Sequence, residues 1–183
     1  MMNLAEYRRT ASRLADYLPW VALVGEGVVL NKDGSFQRTA KFRGPDLDSA
    51  VAAELVAVAG RLNNAFRRLG SGWAIFVEAQ RSEAATYPVS TFPDAASALV
   101  DAERKADFEE EGSHFVSGYF LTLLWLPPAE DAARSESWLY EGRETSGVNP
   151  WEQVRGFIDR TDRVLALLDG FMPDCHWLDD AAT

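Results

Sequence analysis

His114, His176 and Cys175 are the whole supply of imidazole and thiol in this 183-residue chain. A hydroxyl or thiol nucleophile needs a base within hydrogen-bond reach and a third group to orient that base. Neither histidine sits in a local signature of that kind, and no G-x-S-x-G elbow occurs. Three soft donors also fall short of the four that a structural zinc ion takes. Cys175, beside Trp177, reads as a small buried hydrophobe rather than a nucleophile. The acidic runs Glu109-Glu110-Glu111 and Asp179-Asp180 carry the oxygens a hard cation prefers. Adjacent acids on a helix diverge, however, so these runs read as solvated faces. Glu78, on an extended segment, is the acid a small hydrolase would use, but no histidine signature partners it. No G-x-x-x-x-G-K-[ST] is present, so a phosphate cradle of the P-loop kind is missing. Gly25-Glu26-Gly27 leads into an extended run rather than a helix, which fails the dinucleotide-binding context. The chain by itself therefore reads as no enzyme, with no catalytic, cofactor-binding or metal-binding residue to assign.

Aromatic and basic residues near the start carry more information. Arg8, Arg9 and Arg13 precede Leu14-Ala15-Asp16-Tyr17-Leu18-Pro19-Trp20. An exposed aromatic segment beside guanidinium groups suits a partner surface, since Trp, Tyr and Arg anchor interfaces. The candidate protein-interaction residues are Arg8, Arg13, Tyr17 and Trp20, with Trp138 of a polar excursion over 129–148 as a second choice. The rival reading is a segment that wraps over the core. Trp73, Trp125, Trp151 and Trp177 fall in regular elements and are expected in the core. The chain has 28 acidic against 18 basic residues, a net charge of −10, which argues against a general polyanion binder. Residues 1–70 hold 10 Lys/Arg against 7 Asp/Glu, so the surplus of acid lies entirely in the remainder. A single cysteine excludes an internal disulfide and points to a reducing compartment. The longest greasy stretch, residues 115–126, is broken by Ser117, Gly118 and Thr122 and is too short for a membrane span. No apolar stretch follows the early arginines, so a secretory leader is not expected.

The elements that must position these residues follow from periodicity. Val28–Asn31 and Ser35–Phe42 flank Asp33-Gly34, a strong hairpin signal. Alternation puts Phe36, Arg38, Ala40 and Phe42 on one face and Gln37, Thr39 and Lys41 on the other. Leu47, Val51, Leu55, Val58, Leu62, Phe66 and Leu69 then form one apolar stripe at helical spacing, with Asp46 or Asp48 as cap and Gly70 as stop. Trp73–Gln80 reads as a strand. Thr91-Phe92-Pro93-Asp94 reads as a capping box opening a helix to Glu110. His114–Leu126, apolar on both faces, reads as a central buried strand ended by Pro127-Pro128. Asn149-Pro150-Trp151-Glu152 opens a third helix, which Gly170 ends, and Cys175–Leu178 begins a last strand. The order predicts an α+β fold: an antiparallel-leaning mixed sheet with helices on one face, a split βαβ (ferredoxin-like) variant with an N-terminal β-hairpin, in a single domain over 1–183.

Several segments are specific enough to compare. They are residues 14–20, Gly27–Thr39, Arg43–Asp48, Arg61–Ala65, Leu69–Ala74, Gly118–Pro128 and Leu168–Pro173. Together they resemble the start of the conjugal-transfer ATPases of the CagE/TrbE/VirB type IV secretion family. That resemblance covers nearly the whole chain. It implies a non-catalytic N-terminal domain for assembly and docking, at the cytoplasmic face of the bacterial inner membrane. The implied partners are inner-membrane subunits of a type IV secretion system, the protein's own C-terminal ATPase domain and neighbouring protomers. Peripheral membrane association fits, and direct contact with nucleic acid is not expected. Members carry their Walker motifs, and with them ATP and magnesium, on a RecA-like C-terminal half. No such residue occurs here, and the end at Thr183 suggests a fragment. The competing expectation is a stand-alone small-molecule-binding module of split βαβ type, which would show an apolar pocket with convergent polar groups.

Overall fold

The computed structural model describes residues 13–84, 86–110, 112, 114–128 and 150–183. Arg8, Trp138 and the excursion over 129–148 lie outside them. The elements are α1 (Leu14–Tyr17), β1 (Trp20–Gly25), β2 (Val28–Asn31), β3 (Phe36–Arg43), α2 (Ala52–Phe66), β4 (Trp73–Glu83), α3 (Ala95–Glu110), β5 (Phe115–Trp125), α4 (Pro150–Asp169) and β6 (Asp174–Trp177). The six strands form one sheet in the order β1-β2-β3-β5-β4, with β6 also paired to β3. Every pairing is antiparallel.

This is the expected split βαβ topology. Strands β3 and β4 both run antiparallel to β5, so the β3–α2–β4 unit is a parallel pair with β5 between its strands. The β5–α4–β6 unit is likewise split by β3. On one side of β3, β2 pairs with its first half and β6 with its second. The two short strands meet end to end: Gly27 N–H donates to Asp180 Oδ1 (2.7 Å) and Leu178 N–H to the Thr39 carbonyl (2.9 Å). Gly27 has φ +61°, and a Cβ there would collide with the Leu178 carbonyl, so the junction requires glycine.

The hairpin turn forms as its sequence demands. Gly34 takes φ +82°, and Asp33 Oδ1 accepts from both Ser35 N–H (3.0 Å) and Ser35 Oγ–H (2.6 Å). Phe36, Arg38 and Ala40 face inward as alternation predicts, onto a core with two lobes. The first joins Val28, Leu30, Phe36 and Trp125 to Val154 and Phe157 of α4. The second joins Leu121, Leu123 and Cys175 to Ala65 of α2 and to Val164 and Leu168 of α4. Both α2 and α4 thus lie on the sheet face that carries Leu123 and Trp125.

The structure departs from expectation in several places. A strand, β1, stands ahead of the hairpin where the sequence reading assigns no element, because Val21–Val24 lacks the polar alternation that marks a half-buried strand. Helix α2 starts six residues after Asp46. Its first turn is closed by Glu54 Oε2, which accepts from Val51 N–H (2.9 Å), while Asp46 Oδ1 accepts from Asp48 N–H in a preceding turn. The stripe on α2 is buried only toward its C-terminal end: Val51 and Leu55 are exposed, whereas Leu62 and Phe66 pack on the second lobe. Strand β5 is central, but only its C-terminal half is covered, and Phe115 and Val116 are exposed. Helix α3 buries none of its residues and lies off the helical layer. Its cap is Asp94, which accepts from Ser97 N–H (2.8 Å) and Ser97 Oγ–H (2.8 Å), rather than Thr91. Trp151, expected in the core, is 53% exposed on the solvent side of α4.

Candidate interaction surface

The candidate surface begins with one turn of helix. Asp16 Oδ2 accepts from Arg13 N–H (3.0 Å) and Leu18 N–H donates to the Leu14 carbonyl (3.2 Å). Leu18 is then extended, as a residue before proline prefers. Two bonds pin this turn to the β2–β3 hairpin: Lys32 N–H to the Pro19 carbonyl (2.7 Å) and Lys32 Nζ to the Asp16 carbonyl (3.2 Å). Fixing Pro19 delivers Trp20 to the start of β1, the edge strand of the sheet beside β2. Register places Trp20 opposite Asn31 and Leu23 opposite Val29, so both point to the face away from the helices. Tyr17 is 71% exposed and Trp20 49%, with Leu14 and Leu23 exposed beside them. Arg13, Tyr17 and Trp20 thus share one surface segment, with Lys32 next to it. Leu14, Leu23 and Lys32 belong to this surface and were missed in the sequence. The apolar run Val21–Val24 just after Pro19 was the signal available for β1.

The other chemically capable residues are dispersed. Cys175 and His176 alternate across β6: Cys175 sits in the core, and burial with Asp169 and Asp174 nearby pushes its thiol up to about 11. His176 lies on the exposed side, with Nδ1 2.9 Å from Asp174 Oδ1. The two cannot act as nucleophile and base. His114 stacks on Phe108 (centroids 3.9 Å apart) and its Nε2–H donates to the Phe108 carbonyl (2.8 Å), which ties the end of α3 to the start of β5. Tyr87 O–H donates to Asp101 (2.7 Å) farther along that helix, and this bond raises the phenol's pKa. Glu78 lies opposite Phe120 on the outer sheet face, with no histidine in register. Among the described residues no cluster of His, Cys, Asp and Glu could hold a metal ion. No described helix is long and apolar enough to cross a membrane.

Two hollows bear on small-molecule binding. A groove of about 340 Å³ runs under α2, lined by Phe42, Leu47, Leu62, Val77, Leu121 and Leu168 among others. None of its lining side chains is polar, so nothing there would orient a ligand. A larger hollow of about 660 Å³ beside it, lined by Arg43, Asp46, Asp48 and Tyr119, is a surface depression at the end of β3.

Comparison with known proteins places the chain in a family. The family model described as "Type IV secretion system ATPase VirB4/TrbE, N-terminal domain" matches residues 27–133. The conjugal transfer protein TrbE of Rhizobium radiobacter is 43% identical over 131 residues, which are 70% of this chain and 16% of that protein. A second relative, the first part of a probable conjugal transfer protein TrbE of Sinorhizobium fredii (strain NBRC 101917 / NGR234), is 42% identical over 130 residues, 69% of this chain and 87% of that protein. The family match begins after Arg13, Tyr17 and Trp20, and takes in the sheet from β2 to β5 together with α2 and α3. The chain belongs to the VirB4/TrbE family of type IV secretion ATPases, as a member of its N-terminal domain.

Proposed function

We propose that this domain is a non-catalytic assembly and docking module, through which a conjugal-transfer ATPase is held to inner-membrane subunits of its secretion system. The observation that carries this reading is the α1–β1 edge. It presents Leu14, Tyr17, Trp20 and Leu23 to solvent beside Arg13 and Lys32, on a segment fixed by backbone bonds rather than by burial. Aromatic anchors with basic neighbours on a rigid edge are the composition of a binding surface. Arg8 and Trp138, which lie outside the described residues, are proposed as further contact residues. The assembly role also covers the protein's own ATPase domain and neighbouring protomers, at the cytoplasmic face of the inner membrane.

ATP and magnesium belong, on this reading, to the C-terminal half of a longer protein. The residues here do not fit a nucleotide. Helix α2, which follows the glycine at the end of β3, has its first turn closed by its own Glu54 and preceded by Asp46 and Asp48, an acidic setting that repels phosphate. No chemical step is assigned to this chain.

Co-sedimentation tests the docking role. Inner-membrane vesicles carrying the secretion subunits should bring down the chain, and vesicles lacking them should not. The Tyr17→Ser/Trp20→Ser variant should bind at least about tenfold more weakly, with an unchanged circular dichroism spectrum. Equal recovery on both kinds of vesicle, or no loss in the variant, would defeat the reading.

A further inference from the structure

We propose that the free edge of β4 pairs antiparallel with β4 of a second copy of this chain, joining two sheets across a two-fold axis at Val77. The two edges of the sheet are built differently. β1 is six residues long, and its pairing with β2 shifts register twice, between Trp20 and Ala22 and between Leu23 and Gly25. Such bulges twist an edge away from further pairing. β4 has 11 residues in unbroken register with β5 and contains neither proline nor glycine. Among the described residues nothing pairs with its outer edge. Both of its faces are apolar and exposed near the middle, with Ile75 and Val77 on the helix side and Phe76 on the other. Val77 is 67% exposed, and a long apolar edge of this kind is a template for another strand.

The sequence of β4 is complementary to itself when two copies are centred on Val77. A two-fold axis perpendicular to the sheet keeps each face continuous, so paired residues must have the same parity. Centred on Val77, the pairing sets Val77 against Val77, Ile75 against Ala79 and Trp73 against Arg81 of the second copy on the helix face. On the outer face it sets Phe76 against Glu78 and Ala74 against Gln80. No like charges meet in this register. Centring on Glu78 would oppose two carboxylates. Centring on Ala79 would set Val77 against Arg81 and Ile75 against Glu83.

The area suits a weak, reversible dimer. Trp73–Arg81 of each copy would form a seam of about 30 Å at ~3.4 Å per residue, about 10 Å across with the side chains of both faces. That is roughly 300 Å² per copy and about 600 Å² in total, the size of a weak, transient contact. The association should therefore be weak, with a dissociation constant of about 100 μM. The inference gives the protomer contact of the assembly reading a surface, and rests on that reading for its purpose. Its failure would leave docking at the opposite edge untouched.

Sedimentation equilibrium of the full 183-residue chain tests it. A reversible monomer–dimer equilibrium is expected, weakened at least about tenfold by Val77→Lys, which changes an exposed side chain and should leave the fold intact. Register is tested separately by oxidation of Val77→Cys. Opposed antiparallel residues have Cα atoms about 4.5–5.5 Å apart, within disulfide range. This variant should cross-link as a covalent dimer well ahead of Val56→Cys, an equally exposed control on α2. A chain that stays monomeric at high micromolar concentration, dimers unaffected by Val77→Lys, or cross-linking no faster than the Val56→Cys control would each overturn the proposal.

Discussion

Arg38 lies on the inner face of β3 between Phe36 and Ala40, and its side chain is 9% exposed while that of Asp162 is 51% exposed. The guanidinium reaches α4, with Nη1 2.7 Å from Asp162 Oδ1 and 3.4 Å from Thr161 Oγ1. It also stacks 4.3 Å over the ring of Trp177, whose Nε1–H donates to the same Asp162 oxygen (2.8 Å). Arg38 Nε is buried without a partner, so this cation already holds fewer bonds than it can make. The two members of the pair should respond very differently to removal. Asp162→Ala strands a buried cation, a change that costs about 3–5 kcal/mol in a fully enclosed pair. Water reaching the half-exposed side offsets part of that, leaving about 2 kcal/mol. Arg38→Met keeps the buried volume and removes the charge, while Asp162 retains Trp177 and solvent, so about 1 kcal/mol or less is expected. The double variant should resemble Arg38→Met, since no stranded cation remains. Urea unfolding followed by circular dichroism resolves these differences, and the melting temperature of Asp162→Ala should fall by about 4–8 °C. If Arg38→Met destabilises as much as Asp162→Ala, the counter-charge is not what stabilises the guanidinium, and the reasoning fails.

Tyr17→Ala/Trp20→Ala should cost at most about 2 kcal/mol, from the fraction of each ring that is covered, and the chain should still unfold cooperatively. A variant that is unfolded when purified would make the segment part of the core. Cys175 should react with iodoacetamide about a hundredfold more slowly than an unperturbed thiol, since its pKa lies near 11 against 9.0. Because the folded-state value is the higher one, Cys175 favours folding below pH 9 and loses that contribution as pH rises from about 9 through 11; Cys175→Ala should lose this part of the alkaline instability. Isothermal titration of the chain with Mg-ATP should give no heat of binding at micromolar affinity, and a fitted site would overturn the non-catalytic assignment.

The parts of the fold that sequence reveals are those specified by neighbours. Asp33-Gly34 contains the turn chemistry of its hairpin, and the alternation of Phe36, Arg38, Ala40 and Phe42 names the face that α4 later covers. The stripe from Leu47 to Leu69 marks a helix but cannot say how much of it finds a partner. The answer depends on Leu121, Leu123 and Leu168, which reach only its C-terminal half. Arg38 looks like a polar intruder on an apolar face until Asp162 is brought beside it from α4, 124 residues away in the chain. β5 reads as fully buried because its composition is apolar on both faces, yet exposure is decided by the width of the layer above it. The candidate surface is half legible for the same reason. Tyr17 and Trp20 stand out by type, whereas their place on a sheet edge depends on the Lys32–Pro19 bond, which no local pattern encodes.

The uncovered half of β5 bears on why β4 would accept a partner. Beyond Ala79 and Tyr119, where β3 ends its pairing with β5, β4 and β5 continue as a two-stranded ribbon, with Phe115 and Val116 in solvent. At its tip is α3, tied by Tyr87 and His114 but burying none of its own residues. A lone two-stranded ribbon is marginal in water, and a 16-residue helix without packing is little better. Pairing at Val77 would turn the base of this ribbon from an edge into the middle of a wider sheet and shield the apolar groups next to it. Docking at β1 and pairing at β4 would then use opposite edges of one sheet, so that a subunit could engage a membrane partner and a neighbouring protomer at once without either displacing the other.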